Sequence, residues 1–149
     1  MILRESSFAE NELLFVYGTL LSGLSNHHHL LDATCLGPAS VQGALFDMGE
    51  YPALLMTGER ADPLGTVWGE LYQIQAAHWQ RLDQLEEVEP ESVENSMYFR
   101  VTADVTWHAI EKPQGLRAQV YVYNWSLEGR ARIEDGDFRR HIRLKLYCV

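Results

Sequence analysis

The chain has 149 residues, 46% hydrophobic and 22% charged, which is enough for one compact domain, residues 1–149, with a sizeable core. Its 21 acids outnumber 12 bases, a net charge of −9, and no basic cluster exceeds Arg139-Arg140 with Arg143 and Lys145, which argues against nucleic acid or an anionic membrane as partner. No apolar run approaches the ~20 residues of a membrane span, and Cys35 and Cys148 suggest neither a disulfide framework nor a metal pair, so a cytoplasmic protein is expected.

Residues 1–12 are polar and are expected to be loosely ordered. The apolar run Leu13-Leu14-Phe15-Val16 then feeds into Tyr17-Gly18-Thr19-Leu20. A β-type run that ends at glycine makes a strand-end loop whose backbone N–H groups can face a ligand. Gly18 removes the Cβ that would block close approach and tolerates dihedrals other residues avoid. The plainer reading is a strand followed by a tight turn.

Residues 22–32 read as a helix opened by Ser22, with Leu24, Leu30 and Leu31 as apolar positions. Its His27-His28-His29 run is not read as a metal site, because consecutive helical residues point in different directions. Further strand signals fall at 40–47, 65–73, 97–107 and 117–124, punctuated by Gly37-Pro38, Gly49 with Pro52, Gly58, Pro63 with Gly65, and Pro113 with Gly115. Residues 138–147 fit a short helix or a strand. Strands with few helices between them favour an α+β fold: a small, mostly antiparallel β-barrel of five to six strands with a few flanking helices.

A second helix is read over 75–87, where Trp79, Leu82 and Leu85 recur at helical spacing. At about 100° per residue, with Trp79 at zero, Glu86 falls at about 340°, inside the apolar sector, while Asp83 and Glu87 fall at about 40° and 80°, at its edge and beyond. An inward carboxylate loses hydration and its pKa rises, which suits proton transfer at neutral pH. The alternative is that Glu86, at the last turn, bends out to solvent. The acidic stretch 87–94 reads as a solvated segment, or as one that favours cationic ligand groups. His78, His108 and His141 are isolated, Cys35 has no basic neighbour, and no nucleophile elbow or phosphate-binding glycine loop occurs.

Taken in order, Phe15-Val16-Tyr17-Gly18-Thr19-Leu20, Gly49-Glu50-Tyr51-Pro52-Ala53-Leu54, Gly69-Glu70-Leu71-Tyr72, Leu82-Asp83-Gln84-Leu85-Glu86, Tyr98-Phe99-Arg100 and 118–123 resemble the γ-glutamylcyclotransferase-like family of small β-barrel enzymes. The tail Asp135-Gly136-Asp137-Phe138-Arg139 is similar to that of some members. One departure stands out: the family usually has glycine after the acid of its Leu-Asp-x-x-Glu motif, and here that position is Glu87. The resemblance implies Glu86 as catalytic acid/base, with Tyr17, Gly18, Thr19, Leu20 and Tyr98 at the substrate and Tyr123 as a further wall. It implies intramolecular aminolysis of a small-molecule γ-glutamyl substrate to 5-oxoproline and a free amine, with no metal or organic cofactor. A non-catalytic small-molecule binding domain on the same barrel is the alternative, favoured by Glu87. A purely structural module would need the cavity to be filled by side chains.

Overall fold

The computed structural model describes residues 8–89 and 92–147. Cys148 lies outside them, and Cys35 is an exposed free thiol. The strands are β1 (Leu13–Val16), β2 (Thr34–Asp47), β3 (Pro52–Leu55), β4 (Gly65–Gln73), β5 (Tyr98–Trp107) and β6 (Gln114–Tyr123), and the helices are α1 (Ala76–Leu85) and α2 (Phe138–Tyr147). Hydrogen bonding runs β3-β2-β4-β1-β6-β5, and β2 pairs again with β5. Five strands therefore close into a barrel, with β3 an extra strand on β2, which matches the expected class. All the pairings are antiparallel except β1 with β6, which is parallel at Leu14 and Gln119.

The closed ring explains the unbroken apolar run of β1. All four of its residues are buried, because a central barrel strand covered on its outer side has no wet face. Leu13 and Phe15 join Val41, Val67, Leu71, Val105 and Val120 in the barrel interior. Leu14 and Val16 join an outer core with Leu20, Tyr72, Leu82, Tyr98 and Tyr121, under α1 and the connecting loops. Each alternate side chain serves one of the two cores.

Four expectations change. Residues 22–32 are not an α-helix: Gly23 sits at φ +84° and the bonds Leu24 N–H to Leu21 and His27 N–H to Leu24 span three residues, so the segment is turns with a 3₁₀ helix over His27–Leu30. Of the first twelve residues, 1–7 lie outside the described ones. Those that follow are ordered: Glu10–Glu12 form a 3₁₀ turn, Glu12 accepts the Ile74 N–H at 2.8 Å, and Phe8 meets the Trp107 ring edge-on. The four-residue β3 has no clear strand signal because Pro52 opens it, and β2 begins six residues before the expected start, through a bulge at Gly37. Residues 138–147 form a helix.

Candidate active site

Helix α1 packs on the outer core through Leu82, which is fully buried. Its start is fixed by His78, whose Nδ1 accepts the Gln75 N–H at 2.9 Å while Nε2 lies 2.9 Å from Asp32. At its other end Glu86 is the C-cap and Glu87 follows at φ +54°. The Glu87 N–H bonds Gln84 O at 3.1 Å and the Val88 N–H bonds Asp83 O at 2.9 Å. This is a Schellman termination, in which the residue after the cap adopts the left-handed conformation usually taken by glycine. The departure at Glu87 therefore has a physical meaning: the site geometry demands positive φ there, and a glutamate supplies it at a steric cost of about 1 kcal/mol.

Glu86 lines a cavity of about 380 Å³ whose walls include Tyr17, Gly18, Thr19, Leu20, Tyr51, Pro52, Tyr98 and Tyr121. Among the described residues no donor reaches its carboxylate. Burial, then the charges of Asp83 and Glu87, raise its pKa to about 7. Asp83, which the helical wheel puts at the edge of the apolar sector, is half-buried. It accepts the Tyr121 hydroxyl at 2.5 Å and lies 3.4 Å from Arg100, whose guanidinium stacks over Trp79 at 4.1 Å. Arg100 therefore serves Asp83, and Glu86 keeps its raised pKa.

The loop after β1 forms the facing wall. The Leu21 N–H bonds Gly18 O at 3.0 Å and the Asn26 N–H bonds Thr19 O at 2.8 Å. Among the described residues, the N–H groups of Gly18, Thr19 and Leu20 have no acceptor. Gly18 is required for space rather than for its dihedrals: its φ is not positive, and a Cβ would stand 2.7 Å from Pro52 Cδ. Pro52 is held in turn by the Tyr98 hydroxyl, which donates to its carbonyl at 2.7 Å, and the Tyr17 hydroxyl donates to Tyr121 O at 2.6 Å. Burial, first, and then nearby charge and phenol groups raise the pKa of both tyrosines, so they remain neutral donors.

The cavity thus brings together Glu86, Tyr17, Gly18, Thr19, Leu20 and Tyr98. Tyr123 is not among its walls: it pairs across the hairpin with Tyr98, ring centroids 5.3 Å apart at 74°, and supports that ring from behind. Tyr121, two residues earlier, lines the cavity instead. Period-two alternation puts both on one face of β6, so the signal existed, but only the position of α1 selects between them. Tyr51 and Pro52 also line the cavity, and Asp83 reaches it through the Tyr121 hydroxyl; all three stand in stretches that carry the family resemblance, which gave them no role at the site. The described residues contain no group of three or more His, Cys, Asp or Glu suited to a metal, and no helix long and apolar enough to cross a membrane.

A five-strand barrel carrying an outer pocket between a half-buried helix-cap carboxylate and a glycine loop defines a class of protein, and similarity to known proteins supplies its family. Residues 14–140 match Gamma-glutamyl cyclotransferase, AIG2-like, and the chain belongs to this family. It is similar to Gamma-L-glutamyl-butirosin B gamma-glutamyl cyclotransferase of Niallia circulans, with 34% identity over 74% of this chain and 66% of that one, just under two thirds of its length. The solution structure of ytfP from Escherichia coli superposes with a TM-score of 0.58 at 31% identity, covering 87% of this chain and 98% of the other. The crystal structure of YkqA from Bacillus subtilis gives a TM-score of 0.66 at 26% identity, with 92% of this chain and 43% of that one covered.

Proposed function

We propose that the protein is a cofactor-independent γ-glutamyl cyclotransferase that converts a γ-glutamyl amine or γ-glutamyl amino acid to 5-oxoproline and the free amine. The observation that carries this reading is Glu86, a carboxylate without a donor partner among the described residues, with a pKa near 7, in a cavity shared with the Gly18 loop. The substrate's α-amine is mostly ammonium at neutral pH. Glu86 takes one proton from it, and the freed nitrogen attacks the γ-carbonyl carbon of the same molecule. The C–N bond to the leaving amine then breaks as Glu86 returns the proton to the departing nitrogen, and the second proton of the ring nitrogen passes by way of the same carboxylate to the released amine, which leaves as ammonium.

Such proton transfer typically contributes ~10²–10⁴-fold. The N–H groups of Gly18, Thr19 and Leu20 are the proposed donors to the oxyanion, each worth roughly 10²–10³-fold. Tyr17, Tyr98 and Tyr121 would wall the γ-glutamyl chain into its ring-closing shape, a proximity effect. Glu87, the feature that favours a non-catalytic binding domain, is accommodated by the helix termination and leaves Glu86 at the cavity.

The test is to incubate the purified protein with a panel of γ-glutamyl amines and amino acids and to assay 5-oxoproline. The reading predicts release from at least one class. Ligand-induced thermal stabilisation with no product from any member would instead establish the binding domain.

A further inference from the structure

The tail Asp135-Gly136-Asp137-Phe138-Arg139 takes no part in the chemistry above, yet it ends at the loop that carries the proposed oxyanion donors. Gly136 has φ +68°, and a Cβ there would lie 1.9 Å from Thr66 O, while its own carbonyl accepts the Trp68 N–H at 2.9 Å. The tail is thus pressed onto β4 more closely than any side chain allows. Phe138, 1% exposed, then anchors the start of α2 in the barrel interior. The far side of the helix is tied down by His141 and Lys145, 2.8 and 2.6 Å from Asp47.

So placed, Arg139 Nη2 donates to Ser22 O at 2.8 Å and lies 3.0 Å from Ser22 Oγ and 3.2 Å from Glu70 Oε2. Glu70 accepts the Ser22 N–H at 2.9 Å, the Ser22 hydroxyl at 2.7 Å and the Tyr72 hydroxyl at 3.0 Å. Every polar group of Ser22 is held. Ser22 is where the 17–21 loop ends, and Glu70 is the register partner of Val16, where that loop begins. Both ends of the loop are therefore fixed at one residue, Val16 by strand register with the Glu70 backbone and Ser22 by hydrogen bonds to the Glu70 carboxylate.

We propose that Glu70 and Arg139 are positioning residues that hold the 17–21 loop with its N–H groups aligned on the reacting carbonyl; the catalytic half of this rests on the cyclotransferase reading. Burial alone would favour a neutral Glu70, but the donors from Ser22, Arg139 and Tyr72 outweigh it and hold the carboxyl below its usual range. The clamp is consequently charged at neutral pH. Nη2 has two hydrogens for these three acceptors, so one hydrogen is shared, and the advantage of arginine lies in its planar head, which loses less freedom per hydrogen bond than a lysine.

Arg139→Met keeps the aliphatic stem and removes the clamp, and two readouts follow it. Hydrogen exchange should show the Leu21 N–H, bonded to Gly18 O, exchanging about tenfold faster or more than in the wild type, with core strand amides unchanged. On a γ-glutamyl amine, kcat should fall by about 10–100-fold with KM within about threefold, and Arg139→Lys should recover part of the loss. A folded Arg139→Met variant with wild-type Leu21 exchange, or with wild-type kcat, overturns the proposal. So does a loss of kcat that merely tracks the fraction unfolded. If the wild type releases 5-oxoproline from no substrate, the functional reading fails separately, and Leu21 exchange alone decides whether the clamp holds the loop.

Discussion

In the proposed reaction, one proton on Glu86 connects stability to chemistry. Its carboxyl has a pKa of about 7 against 4.5 for an ordinary glutamate, because burial removes water and Asp83 and Glu87 add like charge. A raised acid pKa means the folded state holds its proton longer than the unfolded chain does. Stability is therefore intact below about pH 4.5, falls as the pH rises toward 7, and stays lower above it. Glu86→Gln should match the wild type near pH 4 and exceed it at pH 8 by up to ~3 kcal/mol, since a tenfold difference in proton affinity is worth ~1.4 kcal/mol. Chemical denaturation at the two pH values checks this; equal stabilities at pH 8 would mean the carboxylate is well solvated. Asp83→Asn removes one of the like charges and should move the Glu86 titration to lower pH, as read by the acid limb of the rate profile.

At the scale of elements, the end of α1 sets the site. Glu87 at φ +54° carries the strain of a left-handed residue, and its charge also acts on Glu86. Glu87→Gly should relieve the strain and stabilise the fold by up to ~1 kcal/mol, a rise of a few degrees in Tm. Glu87→Ala keeps the strain but removes the charge. Both should lower the Glu86 pKa, and at about pH 4, where Glu86 is protonated in the folded state, only the glycine should raise Tm; stabilisation by alanine there would contradict the helix-end account. How much of this could be read in advance follows the same physics. Trp79, Leu82 and Leu85 announced α1 because burial follows the 3.6-residue period, and Glu86 stood out as a charge in that stripe. The 22–32 segment misled because apolar spacing without regard to Gly23 looks helical. Asp83 and Tyr121 were opaque because their contact, between α1 and a strand 38 residues away, depends on how the helix crosses the barrel. The glycine loop was legible as a loop, but the ring of Pro52 that requires Gly18 comes from β3, which its short length concealed.

For the molecule as a whole, charge and cavity point in one direction. The protein carries a net charge of −9, and the charged residues of the cavity wall are Glu50, Glu86 and Glu87. A potential of that sign favours a leaving amine that bears a second positive charge over one that bears a carboxylate. With Glu50 and Glu87 exposed, we expect a kcat/KM ratio of about threefold to tenfold between such substrates of equal length, shrinking as salt is raised. A salt-independent preference for the carboxylate-bearing substrate would contradict this.

The central claim is that Glu86 carries the proton in the cyclisation, and the pH dependence of 5-oxoproline release tests it most directly. With a γ-glutamyl amine as substrate, kcat/KM of the wild type should rise through an ionisation near pH 7. Glu86→Gln should lose ~10²–10⁴-fold in rate and that ionisation with it. A Glu86→Gln protein that turns over like the wild type, with the same limb near pH 7, would contradict the account.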